Sequence, residues 1–201
     1  MRYVLASNNK GKLKEMKAIL ESDGAQVVSQ SEAGLCFEAE ETGLSFEENA
    51  LIKARAACDA LGEPAIADDS GLEVDALGGE PGVYSARYGG DSCKSDEDRV
   101  QLLLRNMDGI AQRSARFVSC IACVFPNGDC VEARGECAGS IAYQPKGDGG
   151  FGYDPVFLLS DGRTMAEISA DEKNHVSHRA AALRVFEKKL AEYLKSHGGE
   201  V

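Results

Sequence analysis

Apolar and polar positions along this chain switch between two periods, and the switches mark its elements. Arg2-Tyr3-Val4-Leu5-Ala6 is a β-type run. A polar stretch, Ser7–Lys12, separates it from Leu13, Met16, Ile19 and Leu20, whose spacing predicts an amphipathic helix. Gln26-Val27-Val28 predicts a second short strand. Ser45-Phe46-Glu47-Glu48 has capping-box spacing and opens a helix to about Leu61, with Phe46, Ala50, Ala54, Ala57 and Cys58 on its packed side. Asn49 and Lys53, one turn apart, share a face of that helix. A short β-like run, Pro64–Ala67, then ends abruptly in Asp68-Asp69-Ser70-Gly71 before apolar residues resume at Leu72, Val74 and Leu77.

The second half of the chain continues the alternation. Residues 78–90 hold five glycines and a proline, which marks a shaped loop. Ser95–Asp98 caps a helix with Val100, Leu103, Leu104 and Met107 inward. Residues 115–125 are apolar on both faces and predict a central strand. Pro126-Asn127-Gly128-Asp129 is a hairpin turn, and Cys130–Cys137 returns as its partner, so the sheet is mixed. Lys146–Pro155 is a second glycine-rich loop, Val156–Leu159 another strand, and Lys173–Arg179 leads into a C-terminal helix striped by Leu183, Phe186, Leu190 and Tyr193. The expected architecture is α/β, a mixed sheet flanked by helices, with no internal repeat and no linker.

Composition narrows the classes. At 201 residues the chain is one domain, or two lobes sharing one sheet. Hydrophobic content of 43% and charged content of 27% describe an ordinary globular protein. Neither a signal peptide nor a membrane span is predicted, which makes the cytosol the expected compartment. The seven cysteines are odd in number and irregularly spaced, as expected of reduced thiols. Cys120 and Cys123 form a CxxC, but three residues along a strand the sulfurs point to opposite faces, so core packing is expected. A net charge of −11 argues against nucleic acid as a partner. The charge is uneven: residues 1–20 hold five Lys or Arg and one Glu, whereas residues 21–48 hold eight acids, Glu38, Glu40 and Glu41 among them, and no Lys or Arg. Such a division suits a small polyanion held by lysines and a divalent cation; it also suits plain surface solvation.

Each candidate site has a structural counterpart. Asp68-Asp69-Ser70-Gly71 makes either a turn or a metal or catalytic site, where a cation would relieve the repulsion between adjacent carboxylates. Ser7–Lys12 is either a helix cap with solvated lysines or an anion loop built from backbone N–H groups, Lys10, Gly11 and Lys12. Lys53 is either a solvated charge or a cation aimed at Asp69. Together with the oxygen donors Glu40, Asp68 and Asp69, the ring of Phe151 and the cluster Lys173, His178 and Arg179, these parts meet the needs of a nucleoside triphosphate with Mg²⁺.

Six segments, Ser7–Lys12, Thr42–Ala50, Ala67–Leu72, Gly82–Tyr88, Phe151–Pro155 and Ser177–Arg179, resemble in order and spacing the motifs of the inosine triphosphate pyrophosphatase family, over nearly the whole chain. Ser7 stands where Thr is frequent and keeps the hydroxyl. The resemblance implies a single NTP pyrophosphatase domain over residues 1–201, made of a long mixed sheet and two lobes with a nucleotide-binding cleft between them. It implies a homodimer and hydrolysis of ITP, dITP and XTP to the monophosphate and pyrophosphate with Mg²⁺. It assigns Ser7, Asn8, Asn9, Lys10, Gly11 and Lys12 to substrate phosphate, and Glu40 and Asp69 to the metal, with Asp69 also the proton acceptor. It places Ser70, Phe151, Gly152, Tyr153, Asp154, Lys173, His178 and Arg179 at the nucleotide. Because a metal-bound carboxylate is a weaker base, Asp68 stays open as the base. The rival readings are a pyrophosphatase for modified pyrimidine or methylated nucleotides, a non-catalytic nucleotide sensor, and a structural domain.

Overall fold

A computed structural model of the chain describes residues 2–21, 26–36 and 39–197; Glu38 lies outside the described residues. The strands are β1 (Arg2–Leu5), β2 (Gln26–Ser29), β3 (Ala65–Val74), β4 (Ser114–Val124), β5 (Cys130–Ile141) and β6 (Phe157–Leu158). They form one sheet in the order β2-β1-β3-β4-β5-β6. β1 pairs in parallel with β2 and β3, and β5 pairs antiparallel with β6, so the sheet is mixed. The helices are α1 (Lys10–Leu20), α2 (Phe46–Leu61), α3 (Asp96–Asn106), α4 (Ala170–Val176) and α5 (His178–Ser196). This is the α/β arrangement that the periodicity predicts. Among the described residues no helix is long and apolar enough to cross a membrane.

The chain divides into two compact units, and β3, β4 and β5 each contribute to both. The first holds Met1–Asp69, Ser119–Gly135 and Arg179–Val201; the second holds Ser70–Val118 and Glu136–His178. The core of the first packs Leu5, Met16, Ile66, Ile121, Phe125, Leu183 and Phe186. The core of the second packs Leu72, Leu103, Met107, Phe117, Val156, Phe157 and Met165.

Local chemistry explains the helix starts. Ser45 caps α2 by accepting from Glu48 N at 3.2 Å, but the Glu48 carboxylate reaches Leu44 N at 2.6 Å instead of closing the box on the cap residue. Ser95 and Asp98 do form a full box at α3, as do Ser169 and Glu172 at α4. The segment before Arg179 is therefore a short helix of its own, α4, which ends at Ser177 before α5 begins. All seven cysteines are free, and Cys120 and Cys123 are buried as expected of core residues.

One expectation is overturned. The strand does not stop at the acids: β3 runs from Ala65 through Asp68, Asp69, Ser70 and Gly71 to Val74. The isolated tetrapeptide favours a turn, but here its carboxylates are met by cations from distant parts of the chain, Lys12 and Arg179 at Asp68 and Lys53 at Asp69. Successive strand residues face opposite ways, so Asp68 and Asp69 are directed to different sides of the sheet.

Candidate active site

β3 outruns β1, and this creates the first constellation. The β1 pairing reaches Ile66, whose carbonyl accepts from Ala6 N at 2.8 Å. Two residues further on, the Asp68 carbonyl accepts from side chains: Lys53 Nζ at 3.1 Å and Lys12 Nζ at 3.4 Å. Lys12 comes from the first turn of α1 and Lys53 from the middle of α2. The polar loop after β1 is shaped by its own side chains. Asn9 caps α1 by accepting from Lys12 N at 3.1 Å, Ser7 Oγ accepts from Asn9 N at 3.2 Å, and Asn8 Oδ1 accepts from Gln30 at 2.9 Å. Lys10 is exposed at the helix start and Gly11 is half-buried.

The two acids have different surroundings. Asp68 is 1% exposed. Its Oδ2 meets Lys12 Nζ at 3.0 Å and Arg179 Nη2 at 3.2 Å, and its Oδ1 accepts from the Ser119 hydroxyl at 2.5 Å. Burial alone would raise its pKa, but the Arg179 and Lys12 charges, with the Ser119 hydrogen bond, hold the carboxyl well below the usual range. Arg179, itself buried, is paired on its other side with Glu15 of α1. Asp69 is joined through Oδ1 to Lys53 Nζ at 2.6 Å, and the same ammonium takes Glu41 at 2.9 Å. Burial pushes the Asp69 carboxyl above its ordinary value despite Lys53. Burial also pulls Lys12 down, against the attraction of Asp68. Burial would lower Lys53 too, but Asp69 and Glu41 outweigh it and raise its pKa.

This cluster gathers three cations (Lys12, Lys53, Arg179) and four carboxylates (Glu15, Glu41, Asp68, Asp69). An excess of negative charge built from oxygen donors suits a hard divalent cation. Among the described residues no three acidic, histidine or cysteine side chains form a ready-made metal cage. Mg²⁺ does not require one, because it binds through one or two carboxylates, water and substrate phosphates. The residues present therefore fit the ion. Glu40 is exposed, and its carbonyl accepts from Thr42 N at 3.1 Å.

The second unit holds the aromatic constellation. Lys173 Nζ donates to Asp154 Oδ2 at 2.5 Å and lies 4.6 Å from the centre of the Phe151 ring. The same carboxylate oxygen accepts from Phe151 N at 2.9 Å, which folds the loop over it. Gly150 permits this: it has φ +73°, and a Cβ there would lie 1.9 Å from Asp154 Oδ2. Gly152 N donates to Asp96 at 2.8 Å, and the buried Tyr153 hydroxyl donates to Ser85 O at 2.9 Å. His178 is buried and stacks on Phe117, ring centres 4.8 Å apart. Ser70 is half-buried on β3.

The structure thus joins Lys12, Lys53, Asp68, Asp69 and Arg179 in one unit, and Phe151, Asp154 and Lys173 in the other. The sequence assigns no site role to Glu15, Glu41 or Ser119, although Glu41 lies in its acidic stretch. Ser119 had a signal, a lone hydroxyl inside an apolar strand. Glu15 had a weaker one, three residues from Lys12 on the same helix.

Residues 3–189 match the model of the Ham1 family. A dITP/XTP pyrophosphatase from Symbiobacterium thermophilum is 52% identical over 184 residues, covering 90% of this chain and 91% of the relative. One from Bacillus subtilis is 48% identical over 190 residues, 93% and 96% of the two chains. The solved structure of a HAM1 protein from Coxiella burnetii superposes with a TM-score of 0.86 at 42% identity, covering 96% of this chain and 99% of that one.

Proposed function

The chain belongs to the Ham1 family, and on that premise we propose that it hydrolyses the non-standard purine nucleotides ITP, dITP and XTP to the monophosphate and pyrophosphate. The observation that carries this reading is the division of labour between Asp68 and Asp69. Asp68 is committed to Lys12, Arg179 and Ser119 and is too acidic to accept a proton. Asp69, ion-paired with Lys53 and raised in pKa by burial in the metal-free protein, is the carboxylate left to take the proton from the water that attacks the α-phosphorus. Lys12 and Lys53, with the N–H groups of the loop before α1, hold phosphate oxygens and the charge that develops on the leaving pyrophosphate. Glu40 and Asp69 would hold Mg²⁺, which would supply further charge neutralisation at the phosphates.

In the second unit Phe151 stacks on the base, while Lys173 fixes the Asp154 carboxylate that accepts the purine N1–H. His178 and loop N–H groups donate to O6. Adenine, with an amine at that position, leaves both sides mispaired, which discriminates by about 10⁴-fold. That the relatives are dITP/XTP pyrophosphatases does not favour a pyrimidine substrate. We further propose a cytoplasmic homodimer, which sedimentation of the purified protein would test.

The deciding experiment incubates the protein with ITP, XTP, dITP, ATP and GTP, with and without Mg²⁺, in H₂¹⁸O. The expected products are pyrophosphate and ¹⁸O-labelled monophosphate from the first three, and only with Mg²⁺. Orthophosphate as the sole primary product, or label in the pyrophosphate, overturns attack at the α-phosphorus.

A further inference from the structure

Asn49 lies in the second turn of α2, fully buried, one helical turn before Lys53. Its Oδ1 accepts from Gly43 N at 2.8 Å. Its Nδ2 is buried and has no hydrogen-bond partner among the described residues. A buried donor left in that state costs about 1–3 kcal/mol, so an apolar residue of similar size would serve the helix better. The preceding chain is pressed onto this side chain. A Cβ at position 43 would lie 2.7 Å from Asn49 Oδ1 and 2.7 Å from Glu48 Cβ, so the junction accepts only glycine. Two residues before Gly43, Glu41 reaches Lys53 Nζ, which also binds Asp69. The face of α2 therefore grips the acidic segment twice, at Gly43 through Asn49 and at Glu41 through Lys53.

We propose that Asn49 is a positioning residue, whose side-chain amide fixes the Glu40-Glu41-Thr42-Gly43 segment on α2 and so sets the Glu41 carboxylate beside Lys53. The amide orientation follows from the contact, because Gly43 N–H needs an acceptor and Oδ1 supplies it. The effect on catalysis rests on the function proposed above; the effect on the segment does not.

The test combines backbone hydrogen exchange with kinetics for Asn49→Ala, Asn49→Asp, Gly43→Ala and the double variant Asn49→Ala with Gly43→Ala. In Asn49→Ala the amides of residues 39–45 should exchange about fivefold faster, the worth of one hydrogen bond, with peptides from α3 and β4 unchanged. Asn49→Asp keeps the acceptor and should restore that protection. kcat/KM for ITP should fall about 10–100-fold in Asn49→Ala, the usual effect of losing a group that orients a metal-site carboxylate. If Asn49→Ala does not fold, Gly43→Ala carries the test, since its Cβ displaces the same contact. The double variant should lose less than the product of the single losses. Native exchange over residues 39–45 in Asn49→Ala, or a uniform acceleration across all peptides, overturns the proposal. If no nucleotide is hydrolysed but residues 39–45 exchange as expected, the proposed function fails and the positioning role stands.

Discussion

Asp68 and Asp69 are neighbours in sequence with opposite tasks, and each task predicts a different loss. Asp69→Asn removes the proton acceptor and leaves Lys53 its contact with Glu41. Turnover of ITP should fall by about 10²–10⁴-fold while the thermal midpoint stays near that of the parent. Asp68→Asn takes the buried carboxylate away from Lys12 and Arg179, leaving Arg179 only Glu15 among its described carboxylates, and should cost about 3 kcal/mol in urea unfolding. Equal stability losses in the two variants would contradict this division. The titrations differ in the same sense. In metal-free protein, ¹³C-detected titration should find Asp69 protonating above its ordinary value of 3.8 as pH falls, with Asp68 still ionised there. Adding Mg²⁺ should move Asp69 down and leave Asp68 in place, as expected if Asp69 alone is a ligand. Asp68 stability is present above the unfolded-state pKa and is lost only as pH drops through its depressed native one.

At the level of elements, β3 positions both units' chemistry, and Gly71 is its most constrained position. A Cβ there would lie 2.4 Å from Ser85 Oγ and 2.7 Å from Gly82 O. Ser85 Oγ is fixed in place, accepting from Leu72 N at 2.9 Å and donating to Gly82 O at 2.7 Å. Gly71→Ala should therefore destabilise by about 1–3 kcal/mol, read as a shift in the denaturant midpoint at constant m-value. Replacing Ser85 by Gly in the same chain should recover part of the loss, and no recovery would place the strain elsewhere. β3 also shows what was legible in the sequence. Helices α1, α2, α3 and α5 were, because apolar spacing and Ser caps are local signals, and so was β4, apolar on both faces; α4 was not separated from α5. The continuation of β3 through Asp68-Asp69-Ser70-Gly71 was not. What extends that tetrapeptide is distant in sequence: Lys12, Arg179 and Ser119 around Asp68, and Ser85 against Gly71. For the same reason motif spacing pointed to Lys12, Lys53 and Asp69, whereas Glu15 and Glu41 emerged only with the ion pairs they make.

For the whole molecule, the buried thiols and phenols set an alkaline limit on stability. Burial raises the pKa of Cys58, Cys120, Cys123 and Cys137, and of Tyr153. Burial, with Cys123 nearby, pushes Tyr3 up to about 12 from 10.0. These are acids whose native pKa exceeds the unfolded value. Below the unfolded value both states are protonated, and the contribution to stability is complete. As pH rises past it the unfolded chain releases protons first, and stability falls until the native groups also ionise. With all seven cysteines free, the thiols act from about pH 8.5 and the phenols from about pH 10. The urea midpoint, measured under reducing conditions, should be flat from pH 7 to 8 and decline steadily from pH 9 to 11. The Cys120→Ala, Cys123→Ala double variant should be less stable at pH 7, through lost packing, yet lose less on going from pH 8 to pH 10. Parallel declines in the parent and the double variant would show that the thiols keep their ordinary pKa in the native state and that the alkaline limit comes from other groups.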